Sequence, residues 1–135
     1  MTINTVAQSI EAIVEGLGFD KTVDEFDFEL QPAQVIDMTY HVRTSRVSSI
    51  GEVGTSQIEV HRVEIWLALT VKRDPFAARE SLKSFMDQLE GLVYADTADY
   101  NLLDESTESD VRLSGMDADY VMGVLSMQVD FDRIP

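Results

Sequence analysis

The clearest pattern along the chain is a strict alternation of apolar and polar positions over residues 63–72. The odd positions form one wholly apolar face: Val63, Ile65, Leu67, Leu69 and Val71. The even positions form a mixed face, with Trp66 and Ala68 in its middle and charge at its ends. Because successive side chains of a strand point to opposite sides of a sheet, the pattern predicts a long strand over residues 60–72, covered fully on one face and partly on the other.

A sharp stop and a second helix are predicted directly after this strand. Asp74 suits the N-cap position, and Pro75 suits the first helical position, where its missing N–H costs nothing. The apolar residues that follow recur as on one face of a helix: Ala78, Leu82, Phe85, Met86, Leu89, Leu92 and Val93. Gly91 lies late in this pattern and either ends the helix or is tolerated inside it.

A first helix is predicted near the N-terminus, over residues 5–17. Thr5 and Gln8 are placed as a capping box, in which two side chains satisfy free backbone N–H groups. Gly16 and Gly18 are the predicted stops, since glycine commonly ends a helix.

The remaining elements are strands. An acidic extended segment over residues 20–30 and an alternating strand over residues 36–43 precede the long strand, and strands over residues 111–116 and 121–131 follow the second helix. This order predicts an α+β fold: a single domain whose mostly antiparallel or mixed sheet of about four to five strands carries two helices on one face.

Two polar loops are predicted within this single domain of residues 1–135. Residues 44–57 are rich in Ser, Thr and Gly and indicate a long flexible loop or an extended hairpin. Residues 96–110 indicate a strongly acidic insertion. Because long loops in small domains are often functional, residues 44–57 are the predicted point of contact with a neighbouring protein.

Composition and charge narrow the possible functions. The 44% hydrophobic content of the 135 residues is enough for one core, and there is no cysteine, no secretory signal pattern and no apolar run long enough to span a membrane. Of the net charge of −15, residues 1–40 carry −7 and residues 96–135 carry −8, whereas residues 41–73 carry +2. Binding to the surface of nucleic acid or anionic lipid is therefore disfavoured, because both attract positive charge.

The sequence contains no arrangement typical of catalysis or ligand binding. His41 and His61 have no partner at metal-ligand spacing, and His41 falls on the solvated face of its predicted strand. Residues 104–110 lack the glycine and final glutamate of an EF-hand, and Gly51 and Gly54 do not lead into a helix as in a phosphate loop. No enzyme activity, metal or cofactor is predicted.

Residues 63–89 and 119–133, together with the order of elements, carry a resemblance to a known family. They resemble the tail terminator proteins of long-tailed bacteriophages, in the lambda-like class and its relatives among head-to-tail connector and tail completion proteins. The likeness covers most of the chain as a pattern, and the acidic stretch 96–110 departs from it.

The resemblance implies a structural virion protein of the tail or neck, assembled in the bacterial cytoplasm. Such proteins form a ring, usually a hexamer, at the head-proximal end of the tail tube, where the ring ends tube polymerisation and docks the head connector. The implied partners are further copies of the chain, the tail tube protein and the neck proteins, without a membrane. DNA only passes through the lumen, where acidic side chains would repel its phosphates.

The residues predicted to make contacts in such a ring are those of the basic middle region. The basic candidates for contact with acidic partners are Arg43, Arg46, Arg62, Lys72 and Arg73. Trp66 is either core under a helix or an anchor in an interface.

Two alternative functions fit the same sequence. One is another phage neck component, such as a head-closure protein. The other is an acidic DNA-mimic module that inhibits a nucleic-acid enzyme by occupying its basic groove. A mimic predicts a monomer or dimer with carboxylates spaced like phosphates on its outer surface, whereas a terminator predicts a defined ring.

Overall fold

In the part of the chain that the structure describes, two helices pack against one face of a single sheet, which confirms the predicted α+β architecture. The computed structural model describes residues 3–21, 38–51, 57–70, 74–95, 101–114 and 117–133. The elements in chain order are α1 (Ile3–Gly16), β1 (Asp20–Lys21), β2 (Thr39–Gly51), β3 (Gln57–Thr70), α2 (Pro75–Ala95), β4 (Asn101–Ser114) and β5 (Asp117–Arg133). The predicted acidic extended segment lies outside the described residues beyond Lys21.

The strands are not arranged in their order along the chain. They lie in the order β1-β2-β3-β5-β4, with β1 parallel to β2 and every other neighbouring pair antiparallel. α2 carries the chain from β3 past the position of β5 to β4, and β5 then returns between the two. β3 and β4 therefore run in the same direction, a relation that needs a crossover such as α2.

The main core lies between the sheet and the helices. Val63, Ile65 and Leu67 of β3 are fully buried there, which confirms the predicted apolar face of the long strand. The helices cover it with Val6, Ile10 and Val14 of α1 and with Leu82, Met86, Leu89 and Val93 of α2. β5 adds Val121, Leu125, Met127, Val129 and Phe131. We call this side of the sheet the helix face and the opposite side the outer face.

The start of α2 has the predicted capping geometry. The Asp74 carboxylate accepts the backbone N–H of Phe76 at 3.0 Å, and the Asp74 carbonyl accepts the N–H of Ala78 at 3.1 Å. These bonds satisfy donors that a helix start otherwise leaves free. The helix continues through Gly91, which is one of the two predicted outcomes at that glycine.

The start of α1 differs from the prediction. The helix begins at Ile3, so Thr5 lies inside its first turn, where the Thr5 carbonyl accepts the Ser9 hydroxyl at 3.2 Å. The predicted capping box at Thr5 and Gln8 is therefore wrong. Ile3 packs at the margin of the main core, which favours the longer helix. The predicted stop at Gly18 is confirmed, since this residue has a φ of 100° that glycine adopts without strain.

The structure selects one of the two alternatives predicted for residues 44–57 and corrects the polar loop predicted for residues 96–110. Of residues 44–57, those up to Gly51 belong to β2, and β3 begins at Gln57, so the extended hairpin was the correct alternative. Of residues 96–110, those from Asn101 onward belong to β4. The described residues of both stretches belong to the sheet.

These two strands have polar residues at successive positions, so they show no alternation, and each also contains a bulge. The register shifts between Arg46 and Ser48 of β2 and between Leu102 and Asp104 of β4. An extra residue moves every later side chain to the other face, so the alternation that identifies a strand changes phase. Without continuous alternation, polar residues alone suggest a loop.

Tyr40 links β2 to α1 through a buried hydroxyl. Its side chain is fully buried, and the hydroxyl donates to Oε1 of Glu15 at 2.8 Å. Burial raises the pKa of Tyr40 well above its usual value, and the hydrogen bond to Glu15 and the charges of Glu11 and Glu15 raise it further. The folded state therefore holds the neutral phenol more strongly than the unfolded chain does.

Replacing Tyr40 by phenylalanine is expected to lower the free energy of unfolding by about 1 kcal/mol at neutral pH, because the buried hydrogen bond is lost. Above about pH 10 the unfolded phenol loses its proton while the folded one keeps it, so the wild type loses up to about 1.4 kcal/mol more per pH unit than the variant. Urea unfolding from pH 8 to pH 11 measures both effects. Parallel pH profiles for the two proteins would contradict this role of Tyr40.

Candidate interaction surface

Three of the predicted contact residues share the outer face of the sheet. Arg43 lies opposite Glu64, Arg62 lies opposite Ser45, and Trp66 lies opposite His41 in the β2–β3 register. The intervening residues of β3 are the buried ones of the helix face. Arg46 instead lies on the helix face, opposite His61. Two further candidates, Lys72 and Arg73, lie outside the described residues.

The outer face is buried at one end. Ala68 and Met122 are 0% and 3% exposed and form a second, smaller apolar cluster with the partly buried Trp66. Thr39 and His41 beside them are also buried. The prediction of a solvated His41 is therefore wrong, because alternation shows which face a residue occupies but not whether that face is covered.

Trp66 and Arg43 are in contact on this face. The guanidinium of Arg43 lies 5.8 Å from the centroid of the Trp66 ring, within the range of a cation–π interaction. The indole Nε1 of Trp66 is buried and makes no hydrogen bond to the described residues. Arg43 is half-buried in this contact and lies opposite Glu64 in the register.

A polar cluster on the helix face was not identified from the sequence. Arg46 donates from Nη2 to Oε1 of Glu59, and Oε2 of the same carboxylate lies 3.5 Å from Nε2 of His61. The His61 ring stacks on Phe131, with centroids 5.3 Å apart. Glu59 and His61 are buried, whereas the Arg46 side chain is 53% exposed. Arg46 therefore connects a buried carboxylate to the solvent.

The sequence does carry a signal for this cluster. Positions 59 and 61 continue the odd series of the long strand, so alternation places Glu59 and His61 on its apolar face. A charged residue on a buried face requires a partner. The Arg46 guanidinium is such a partner for Glu59. Among the described residues, no group of three or more His, Asp or Glu side chains could hold a metal ion.

The side chains of β2 are exposed on both faces of the sheet over residues 44–47. Val47, at the bulge, is 51% exposed, although it is a large apolar residue in the middle of a strand. Two other large apolar side chains, Phe76 and Leu92 of α2, are 70% and 43% exposed. Within the predicted contact region of residues 44–57, residues 44–47 thus belong to a strand, and their side chains are accessible.

None of the described helices combines the length and the apolar character needed to cross a membrane. A comparison with protein-family models and with curated protein sequences finds no match for this chain.

Proposed function

We propose that this protein is a structural component of a phage neck that forms a ring and ends the tail tube, as the resemblance in residues 63–89 and 119–133 implies. The observation that carries the proposal is the exposed part of β2. Residues 44–47 are accessible on both faces, and Val47 offers apolar surface that the domain itself does not bury. Such a strand is suited to contact with another protein.

The charge distribution supports an assembly through unlike surfaces. A ring needs two different patches on each subunit, because each interface joins one patch to the other. The region of residues 41–73 carries a net charge of +2, whereas residues 96–135 carry −8. Contact between a basic patch of one copy and an acidic patch of the next is therefore favoured over contact between like patches.

The outer face favours this role over that of a DNA mimic. A mimic needs a surface of carboxylates spaced like phosphates. The described outer face instead places Arg43 beside Glu64, and the exposed Arg62 lies between Ser45 and Gln128. These cations would repel the basic groove of a nucleic-acid enzyme.

Native mass spectrometry and light scattering over a range of protein and salt concentrations test the proposal. The expected result is a discrete ring of the 15.1 kDa chain, formed by the protein alone or on addition of the tail tube protein of the same virus. Electron microscopy of the same sample is expected to show closed rings of uniform diameter. A monomer that ignores both concentration and the tube protein would contradict the proposal, and its capture by a nucleic-acid enzyme would favour the mimic.

A further inference from the structure

In the described part of the chain, the sheet ends on one side in the two-residue strand β1 with the long β2 behind it, and on the other side in the long strand β4. β1 pairs with Thr39 and Tyr40 at one end of β2, and residues 44–47 further along β2 are exposed. β4 pairs with β5 over its length and with no other described strand. A strand margin presents backbone N–H and C=O groups that can pair with another chain.

The two margins carry opposite charge. β2, over Thr39–Gly51, contains two arginines and no acidic residue. β4, over Asn101–Ser114, contains four acidic residues and one arginine. Pairing of β2 with β2 or of β4 with β4 would bring like charges together, which destabilises cross-strand pairs. Only the combination of β2 with β4 is electrostatically favourable.

We infer that β2 of one copy pairs with β4 of the next copy, so that the sheets of neighbouring subunits join head to tail. This inference rests on the proposed ring and specifies its interface. β2 and β5 run in one direction and β3 and β4 in the other. When subunits are related by a rotation about an axis along the strands, β4 of one and β2 of the next run antiparallel, as the other long strands of the sheet do.

The register within one subunit shows which residues meet in such a join. Ser45 pairs with Arg62, Arg62 with Gln128, and Gln128 with Asp104. Ser45 and Asp104 therefore lie at the same position along the strand direction, on opposite sides of the sheet. If neighbouring subunits are not shifted relative to each other along the strand direction, Asp104 lies opposite Ser45 of the next copy. Arg43 and Arg46 flank Ser45 along β2 and complement the acidic strand.

The exposed part of β2 coincides with this meeting point. Residues 44–47 are exposed, so the described chain leaves the segment around Ser45 accessible to a second copy. The bulge between Arg46 and Ser48 interrupts the regular ladder just beyond it. Bulges commonly limit pairing at sheet margins, so we place the intermolecular ladder on the exposed residues 44–46, between the buried end of β2 and the bulge.

Two charge variants test the inference, one on each margin. Ser45→Glu places an acid opposite Asp104 of the next copy, and Asp104→Lys places a cation opposite Ser45 and its flanking arginines. Each variant alone is expected to weaken ring formation by about tenfold, which corresponds to about 1.4 kcal/mol per interface. The matched controls, Ser81→Glu and Asp87→Lys on the exposed side of α2, are expected to assemble like the wild type.

An equal mixture of the two variants supplies the sharpest readout. In a ring where the two variants alternate, one kind of interface joins the glutamate introduced at position 45 to the lysine introduced at position 104. The other kind joins Ser45 to Asp104, as in the wild type. The mixture is therefore expected to assemble when neither variant does alone, which also shows that both variants fold. Native mass spectrometry identifies the alternating rings by their mass.

The outcomes separate this inference from the proposed function. Rings that form equally well from the wild type and from both variants would overturn the β2–β4 interface and leave the ring itself standing. Failure of the mixture to assemble, with both variants folded by circular dichroism, would also overturn the interface. A wild-type chain that stays monomeric in all conditions, including with the tail tube protein, would overturn both.

Discussion

Replacing Leu67 by alanine is expected to lower the free energy of unfolding by about 2–5 kcal/mol, the range for large-to-small substitutions in a closed core. Leu67 is fully buried on the helix face of β3, within the main core. Its neighbours in the register, Tyr40 and Gly123, are also buried, so the surrounding structure has little freedom to fill the cavity. This loss is a large fraction of the stability of a small domain, which is about 5–15 kcal/mol.

Chemical denaturation measured by far-UV circular dichroism gives this value directly. Leu92→Ala on α2 is the matched control, because it removes the same atoms from a side chain that is 43% exposed. The control is expected to cost less than about 1 kcal/mol, since little apolar surface is returned to water. Equal losses for the two variants would show that Leu67 is not at the centre of the core.

Replacing Arg46 by alanine is expected to destabilise the protein by about 1–3 kcal/mol, because the Glu59 carboxylate, 3% exposed, loses the guanidinium that accompanies it. Arg62→Ala is the matched control on the neighbouring strand. Arg62 is exposed on the outer face, and its removal is expected to change stability by no more than about 0.5 kcal/mol. Urea unfolding at neutral pH compares the two variants.

A second substitution separates the effect of charge from the loss of packing. In the Arg46→Ala background, Glu59→Gln removes the buried negative charge and keeps its shape, so it is expected to restore part of the lost stability. The same change in the wild type is expected to be destabilising, because the bond from Arg46 then loses its charged acceptor. A double-mutant cycle measures this change of sign. Additive effects at the two positions would contradict a coupled Arg46–Glu59 pair.

Local signals in the sequence predicted the centre of the fold. The alternation at Val63, Ile65 and Leu67 identified β3 because it continues through this strand without interruption. Asp74 and Pro75 identified the start of α2 because capping depends on residues adjacent in the chain. These features need no information from distant parts of the molecule.

The features that the sequence missed depend on contacts between distant residues. The pairing of Glu59 with Arg46 arises only when β2 and β3 are aligned in one particular register. The burial of His41 depends on coverage of the outer face, which alternation along its own strand does not report. The position of β5 between β3 and β4 likewise leaves no trace in the local pattern of any of the three strands.

In this strand order the sheet consists of two local hairpins, β2–β3 and β4–β5. The long pairing of β3 with β5, which we call the seam, joins them. Gly51 pairs with Gln57 in the first hairpin and Ser114 with Asp117 in the second, whereas the seam between β3 and β5 pairs Gln57 with Arg133. Each hairpin closes a short loop, while the seam joins parts of the chain separated by α2 and β4 and so carries most of the entropic cost of assembly. The β3–β5 seam therefore couples the two hairpins, together with α2, whose buried side chains share one core with both strands of the seam.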